Sequence, residues 1–124
     1  NGGGRVVNVA SNAALGGNRD FMQAVGYNTS KGAVVTFTRA LAAEWGAYNI
    51  TVNAIGPGGF PSKMSRYLTD RHGVEALAAR VPLNRVGDEE DLKGTVLLFA
   101  SDAGKHITGQ FLVVDGGASA MIAG

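Results

Sequence analysis

The chain has 124 residues, 11 basic and 10 acidic, a formal charge of +1 and no cysteine. That length suits one domain with a buried core. Near neutrality without a basic run (Lys63, Arg66, Arg71 and Arg80 are scattered among apolar residues) argues against nucleic acid or an anionic membrane as partner. The lack of cysteine excludes disulfides and thiolate metal sites and fits a reducing, cytoplasmic setting. No apolar run approaches the roughly 18 residues that a membrane-spanning helix needs, and no secretory signal pattern is read in the opening residues.

The chain opens Asn1-Gly2-Gly3-Gly4, directly ahead of an apolar run. This triplet is not a dinucleotide fingerprint, which follows a strand and opens a helix; it reads as a helix C-cap and turn. A chain that starts inside a turn is expected to be cut from something longer. In all, 19 glycines, about twice the usual ~7% share, predict many tight turns and close backbone approaches.

Three β-branched runs predict strands: RVVNVA (5–10), ITVNAI (50–55) and FLVVDG (111–116). They are nearly continuous rather than alternating, the pattern of strands buried on both faces. Between the first two, a helix is predicted over Val25–Trp45, with Ala33, Phe37, Ala40, Leu41 and Glu44 at helical spacing and Gly46 at its end. Next comes an insertion, Pro57 to Pro82, with helix-like pieces at Met64–Leu68 and Val74–Ala79. A last helix is predicted over Glu89–Ala100, with Asp88 as N-cap and Leu92, Val96 and Phe99 on its inner face. Strand, helix, strand, helix, strand makes two βαβ units and hence a parallel sheet. Ligands of open α/β sheets bind beyond the carboxyl ends of the strands, so the insertion after the second strand is the expected substrate loop.

Most chemical motifs are missing. GPGGFP carries Pro61 where a third fingerprint glycine would stand, and neither a nucleophile elbow nor a phosphate-loop lysine occurs. His72 and His106 have no partners at ligand spacing, so no metal site is expected. What remains is GYNTSK, which sets Tyr27 and Lys31 four apart and so on one helix face. A cation about 5 Å from a phenol at an effective dielectric near 20 supplies roughly 3 kcal/mol toward the phenolate. The spacing therefore suits a general acid–base tyrosine, although on its own it equally describes two unrelated residues at an exposed helix start. Context favours the chemistry. Ser11 stands at the carboxyl end of the first strand, the helix bearing Tyr27 should begin on that side of the sheet, and Pro57-Gly58 closes the second strand at the same rim.

These residues, in this order, resemble the carboxyl-terminal half of a short-chain dehydrogenase/reductase along the whole chain. GRVVNVAS resembles the strand ending in the family's catalytic serine, YNTSK its tyrosine–lysine pair, and ITVNAIGPGGFPS its strand and nicotinamide-contacting turn. The stretch from Val81 to Asp115-Gly116-Gly117 resembles the closing helix and last strand. The resemblance implies one partial Rossmann-type domain, an α/β doubly wound parallel sheet: a catalytic βαβ unit over 5–55, a substrate loop over 56–82, and a closing helix and strand over 83–124. The amino-terminal cofactor-binding half would lie ahead of Asn1.

The resemblance further implies hydride transfer between NAD or NADP and a small-molecule carbonyl or secondary alcohol. Tyr27 would move the hydroxyl proton, Lys31 would support it and bond the nicotinamide ribose, and Ser11 would hold the substrate oxygen. Pro57, Gly58 and Phe60 would line the nicotinamide, and Ser62 stands where the family often has threonine. Homodimers or homotetramers are implied in the same way. The sixteen positions from Ser11 to Tyr27 are about three more than in many members. Taking Ala14 as the serine position would shorten that loop, but NVAS fits the strand end better. The PSKM turn resembles sugar-acid (gluconate-type) and 3-oxoacyl reductase members. Phe60, Met64, Tyr67, Leu68 and Leu77, with Lys63 and Arg66 nearby, are the expected substrate lining. The competing reading is a truncated, inactive Rossmann fragment or a non-enzymatic interaction module, with strand 5–10 an open edge prone to self-association. A glycine-rich strand–turn–helix ahead of Asn1 would settle the cofactor class, and an acidic or basic residue after it would separate NAD from NADP.

Overall fold

The computed structural model describes residues 2–17, 24–59 and 73–122. The predicted Met64–Leu68 helix, and with it Phe60, Ser62, Lys63, Arg66, Tyr67 and His72, lie outside the described residues.

Three parallel strands, β1 (Gly4–Val9), β2 (Ile50–Pro57) and β3 (Phe111–Val114), form one sheet in the order β1-β2-β3. Register runs from Gly4 beside Ile50 to Val9 beside Ile55, and from Ala54 beside Phe111 to Pro57 beside Val114. Helix α1 (Val25–Trp45) joins β1 to β2, and α2 (Gly73–Ala79) and α3 (Glu89–Ala100) lie between β2 and β3. The helices α1 and α3 take opposite faces. Asn8 and Arg5 stand three apart on β1 and so point to opposite sides. Asn8 Nδ2 donates to Thr38 Oγ1 on α1 at 3.0 Å, whereas Arg5 reaches Asp102, just past α3, at 3.6 Å.

This layering puts the core on β2, where every residue from Thr51 to Gly56 is buried and Val52, Asn53 and Ala54 are wholly so. The expectation that all three strands are buried on both faces is corrected. Among the described residues β1 and β3 each pair on one side only; both are half-buried, and Val9 is 62% exposed.

The residues at helical spacing on α1 do not mark its buried side. Ala33, Phe37, Ala40 and Glu44 face outward, and the buried positions are Thr38 and Ala42. A threonine can face the sheet because its hydroxyl is satisfied: Oγ1 accepts from Asn8 and donates to the Val34 carbonyl. On α3, Phe99 is buried and Leu92 half-buried, but Val96 faces outward.

The helix ends follow local chemistry. α1 passes through Gly46 in helical geometry into a short 3-10 turn, and Asn49 at φ 58° turns the chain into β2. The glycine triplet packs against this turn, Gly4 N–H donating to the Asn49 carbonyl at 3.2 Å. Asp88 caps α3 as expected: its carboxylate accepts from the N–H of Glu90 and Asp91, and Asp91 accepts from the N–H of Asp88. Arg85 then grips both oxygens of Asp91 at 2.7 Å. That guanidinium, with the Asp88 N–H, holds the Asp91 carboxyl well below the usual carboxylate range. Among the described residues no helix is long and apolar enough to cross a membrane, and no group of three metal-ligating side chains occurs.

Candidate active site

Because the strands are parallel, their carboxyl ends share one rim, where Ser11, Pro57-Gly58 and Asp115 follow β1, β2 and β3. Pairing continues one step past β1 through the Ala10 N–H, which donates to Ile55 O at 2.7 Å. Ser11, buried at 7% exposure, then caps a 3-10 turn over Asn12–Leu15. Its Oγ accepts from the Ala13 N–H at 3.0 Å. That bond fixes the side chain and occupies a lone pair, so the hydroxyl proton stays available to an oxygen above the rim.

Close approaches gather the turns. A Cβ on Gly56 would stand 3.3 Å from the Ser11 carbonyl carbon and 2.5 Å from the Phe111 ring, so β2 needs a glycine there. A Cβ on Gly58 would lie 3.2 Å from Asn12 Nδ2, so the second turn abuts the first. The Gly58 N–H donates to the Val114 carbonyl at 3.0 Å, and Gly59 accepts from the Gly87 N–H at 3.0 Å. Among the described residues nothing stands within 4 Å of a Cβ placed on Gly59.

Tyr27 is the third residue of α1 and 40% exposed. Lys31 follows one turn later, its ammonium 5.6 Å from the phenol ring centroid. Among the described residues no carboxylate pairs with Lys31. The turn carrying Ser11 is tied to this helix by Asn28, whose Nδ2 donates to Ala13 O at 2.9 Å and also to Gly16 O. Of the seven sequence-derived site residues, Ser11, Pro57 and Gly58 lie at the strand-end rim, and Tyr27 and Lys31 lie in the first two turns of the helix that Asn28 ties to the Ser11 turn. Phe60 and Ser62 lie outside the described residues.

Two rim residues escaped the sequence reading. Asn28 sits inside the quoted motif, and its signal is chemical: an amide with two N–H donors at a helix start. Asp115 is the other. Its carboxylate accepts from Gly117 N–H at 3.0 Å, Ser119 N–H at 2.8 Å and Asn12 Nδ2 at 3.4 Å. Burial opposes ionisation of Asp115, but the bonds from Ser119, Gly117 and Asn12 outweigh it and hold the carboxyl below the usual range. The Asp-Gly-Gly sequence was the available signal: aspartate bonds the N–H two residues on, and Gly116 and Gly117 take positive φ of 65° and 96°. A shallow cavity of about 120 Å3 lies beside this turn, its lining including Gly59, Val81, Leu83, Arg85, Asp91 and Asp115.

This arrangement ties a helix bearing a phenol and a cation to the turn that holds a fixed hydroxyl, at the same end of the sheet as Pro57-Gly58. A family model described as enoyl-(acyl carrier protein) reductase matches residues 1–119. Over 116 residues the chain is 36% identical to the 2-dehydro-3-deoxy-D-gluconate 5-dehydrogenase of Dickeya dadantii, covering 93% of this chain and 45% of that protein. The rhamnolipids biosynthesis 3-oxoacyl-(acyl-carrier-protein) reductase of Pseudomonas aeruginosa is 37% identical over 114 residues, with 91% of this chain and 44% of that protein covered. A solved gluconate 5-dehydrogenase from Burkholderia cenocepacia, in complex with NADP and tartrate, superposes with a TM-score of 0.89 at 31% identity. The match covers 98% of this chain and 47% of that one. The chain spans about half the length of the curated relatives it matches. On this evidence of sequence and fold, it belongs to the short-chain dehydrogenase/reductase family.

Proposed function

We propose that the intact protein is an NAD(P)-dependent oxidoreductase that interconverts a carbonyl and a secondary alcohol. The observation that carries this reading is the Tyr27–Lys31 pair, phenol ring and ammonium 5.6 Å apart, on a helix tied to the turn that holds Ser11. Tyr27 gives its proton to the carbonyl oxygen in reduction and takes it back in oxidation. Lys31 places a positive charge beside the negative charge that builds on the phenol oxygen. Ser11, its Oγ held in place by the Ala13 N–H, donates its hydroxyl proton to the same substrate oxygen.

The residues present fit the nicotinamide end of the cofactor. The backbone of Gly58 and Gly59 carries no side chain at the strand end, and Lys31 has no carboxylate partner among the described residues. When bound, NAD(P)(H) supplies or accepts the hydride. Pro57 and Gly58, with Phe60 and Ser62 beyond them, would line the nicotinamide, and Lys31 would bond its ribose. Sugar acids and oxoacyl thioesters are the substrate classes proposed, supported by the gluconate-type and oxoacyl reductase relatives. A homodimer or homotetramer in a reducing, cytoplasmic setting accompanies this reading.

The test is Tyr27→Phe in the intact protein. Cofactor binding should persist while turnover falls by about 10²- to 10⁴-fold, the range for loss of a positioned acid–base group. Undiminished turnover would remove Tyr27 from the chemistry and the reading with it.

A further inference from the structure

We infer that Asn28 is a positioning residue that sets the reach from Ser11 to Tyr27; the inference rests on the oxidoreductase reading above. The first turn of α1, which bears Tyr27, is weakly held. Its N-cap Ala24 offers no side-chain cap, and Val25 and Tyr27 are 79% and 40% exposed. Such a terminus has unsatisfied N–H groups and frays unless anchored. Ser11 lies sixteen positions earlier, too far along the chain for backbone connectivity to fix a separation.

Asn28 supplies the anchor. Its side-chain amide has two N–H donors, and two carbonyls of the Ser11 turn, Ala13 and Gly16, receive them. Ala13 is therefore gripped twice, its N–H by Ser11 Oγ and its carbonyl by Asn28. The result is a short relay from the serine hydroxyl through one peptide and one amide to the residue beside the phenol. One turn later, α1 runs beside the same segment: a Cβ placed on Gly32 would make ordinary contact with Ala14 O at 3.9 Å. The donors must be an amide: an isosteric carboxylate would present oxygen to two carbonyl oxygens.

Asn28→Ala and Asn28→Asp in the intact protein test this. Displacement on the order of 1 Å at a reacting group costs about 10²-fold, so kcat should fall roughly 10- to 100-fold in both, with the isosteric Asp at least as impaired as Ala. The dissociation constant for NAD(P) should stay within about twofold, because the variants change position and not the groups that hold the cofactor. Hydrogen exchange should quicken at amides of 26–30 and at Ala13 while the middle of α1 stays protected. Full kcat in Asn28→Ala, unchanged exchange, or a fall in kcat matched by lost cofactor binding overturns the inference. Tyr27→Phe separates the two layers. If that variant turns over normally, the oxidoreductase reading fails whatever Asn28 does; if it is inactive and Asn28→Ala is fully active, only the positioning role fails.

Discussion

Gly58 and Asp115 sit back to back at the rim: a Cβ on Gly58 would stand 2.5 Å from Asp115 Cβ and 2.9 Å from its Cα. Real Cβ atoms do not approach so closely, and the obstacle is backbone as well as side chain. Gly58→Ala should therefore cost about 1–3 kcal/mol, the range for overpacking a tight site. Urea unfolding of the variant checks this. Asp115→Gly in the same chain should recover part of the Cβ clash and leave the backbone part.

Asp115 also gives the protein an acid-sensitive joint. Its folded carboxyl is held below the ordinary value of about 3.9 by the bonds from Ser119, Gly117 and Asn12, against the pull of burial. A depressed folded pKa stabilises the fold above the unfolded value and loses that contribution as pH falls below about 4 and through the folded pKa. Asp115→Asn should accordingly be less stable than wild type at pH 7, and the gap should shrink below about pH 4. Urea midpoints at pH 7 and near pH 3 measure it; a gap independent of pH would contradict the assignment.

The start of α3 depends on one side chain. The Asp88 carboxylate accepts from two N–H groups that would otherwise lack helical partners. Asp88→Ala should cost about 1 kcal/mol, while Asp88→Ser, which can still accept, should cost less. Thermal unfolding of the two variants gives the comparison.

Thr51 is the opposite case. It is buried on β2 at 6% exposure, and its Oγ1 has no hydrogen-bond partner among the described residues. A buried hydroxyl without a partner carries a desolvation cost that an isosteric methyl avoids. Thr51→Val should raise stability by about 1 kcal/mol, read as a higher urea midpoint with unchanged slope.

What could be read from sequence was governed by period and end chemistry. The β-branched runs located all three strands, and helical spacing set α1 at Val25–Trp45 and α3 at Glu89–Ala100 as observed. Burial was harder, because it depends on neighbours that a strand's own residues do not encode: RVVNVA and ITVNAI look alike, yet only the central strand is covered throughout. The buried side of α1 was not legible, because Thr38 reads as polar until its partner Asn8, thirty positions away, is known. The last strand was drawn two residues long, since Asp115-Gly116 leaves the ladder to build a turn. At the site, the spacing of Tyr27 and Lys31 was visible. The ties from Asn28 and Asp115 were not, because they join segments that only folding brings together.

The Gly59–Gly87 hydrogen bond has a consequence for how such proteins change over time. The chain leaves the sheet at Gly59 and is bonded again to that same residue at Gly87, so the intervening stretch is an excursion with a fixed exit and a matching return. Gly58, held by Val114 and backed by Asp115, keeps that exit in place. Both ends of the stretch are therefore fixed at the sheet, its return held further by the Leu83 N–H, which donates to the Gly116 carbonyl at 3.2 Å. On the proposed reading, substitutions inside this stretch would change what the site accepts and leave the proposed proton-handling residues where they are.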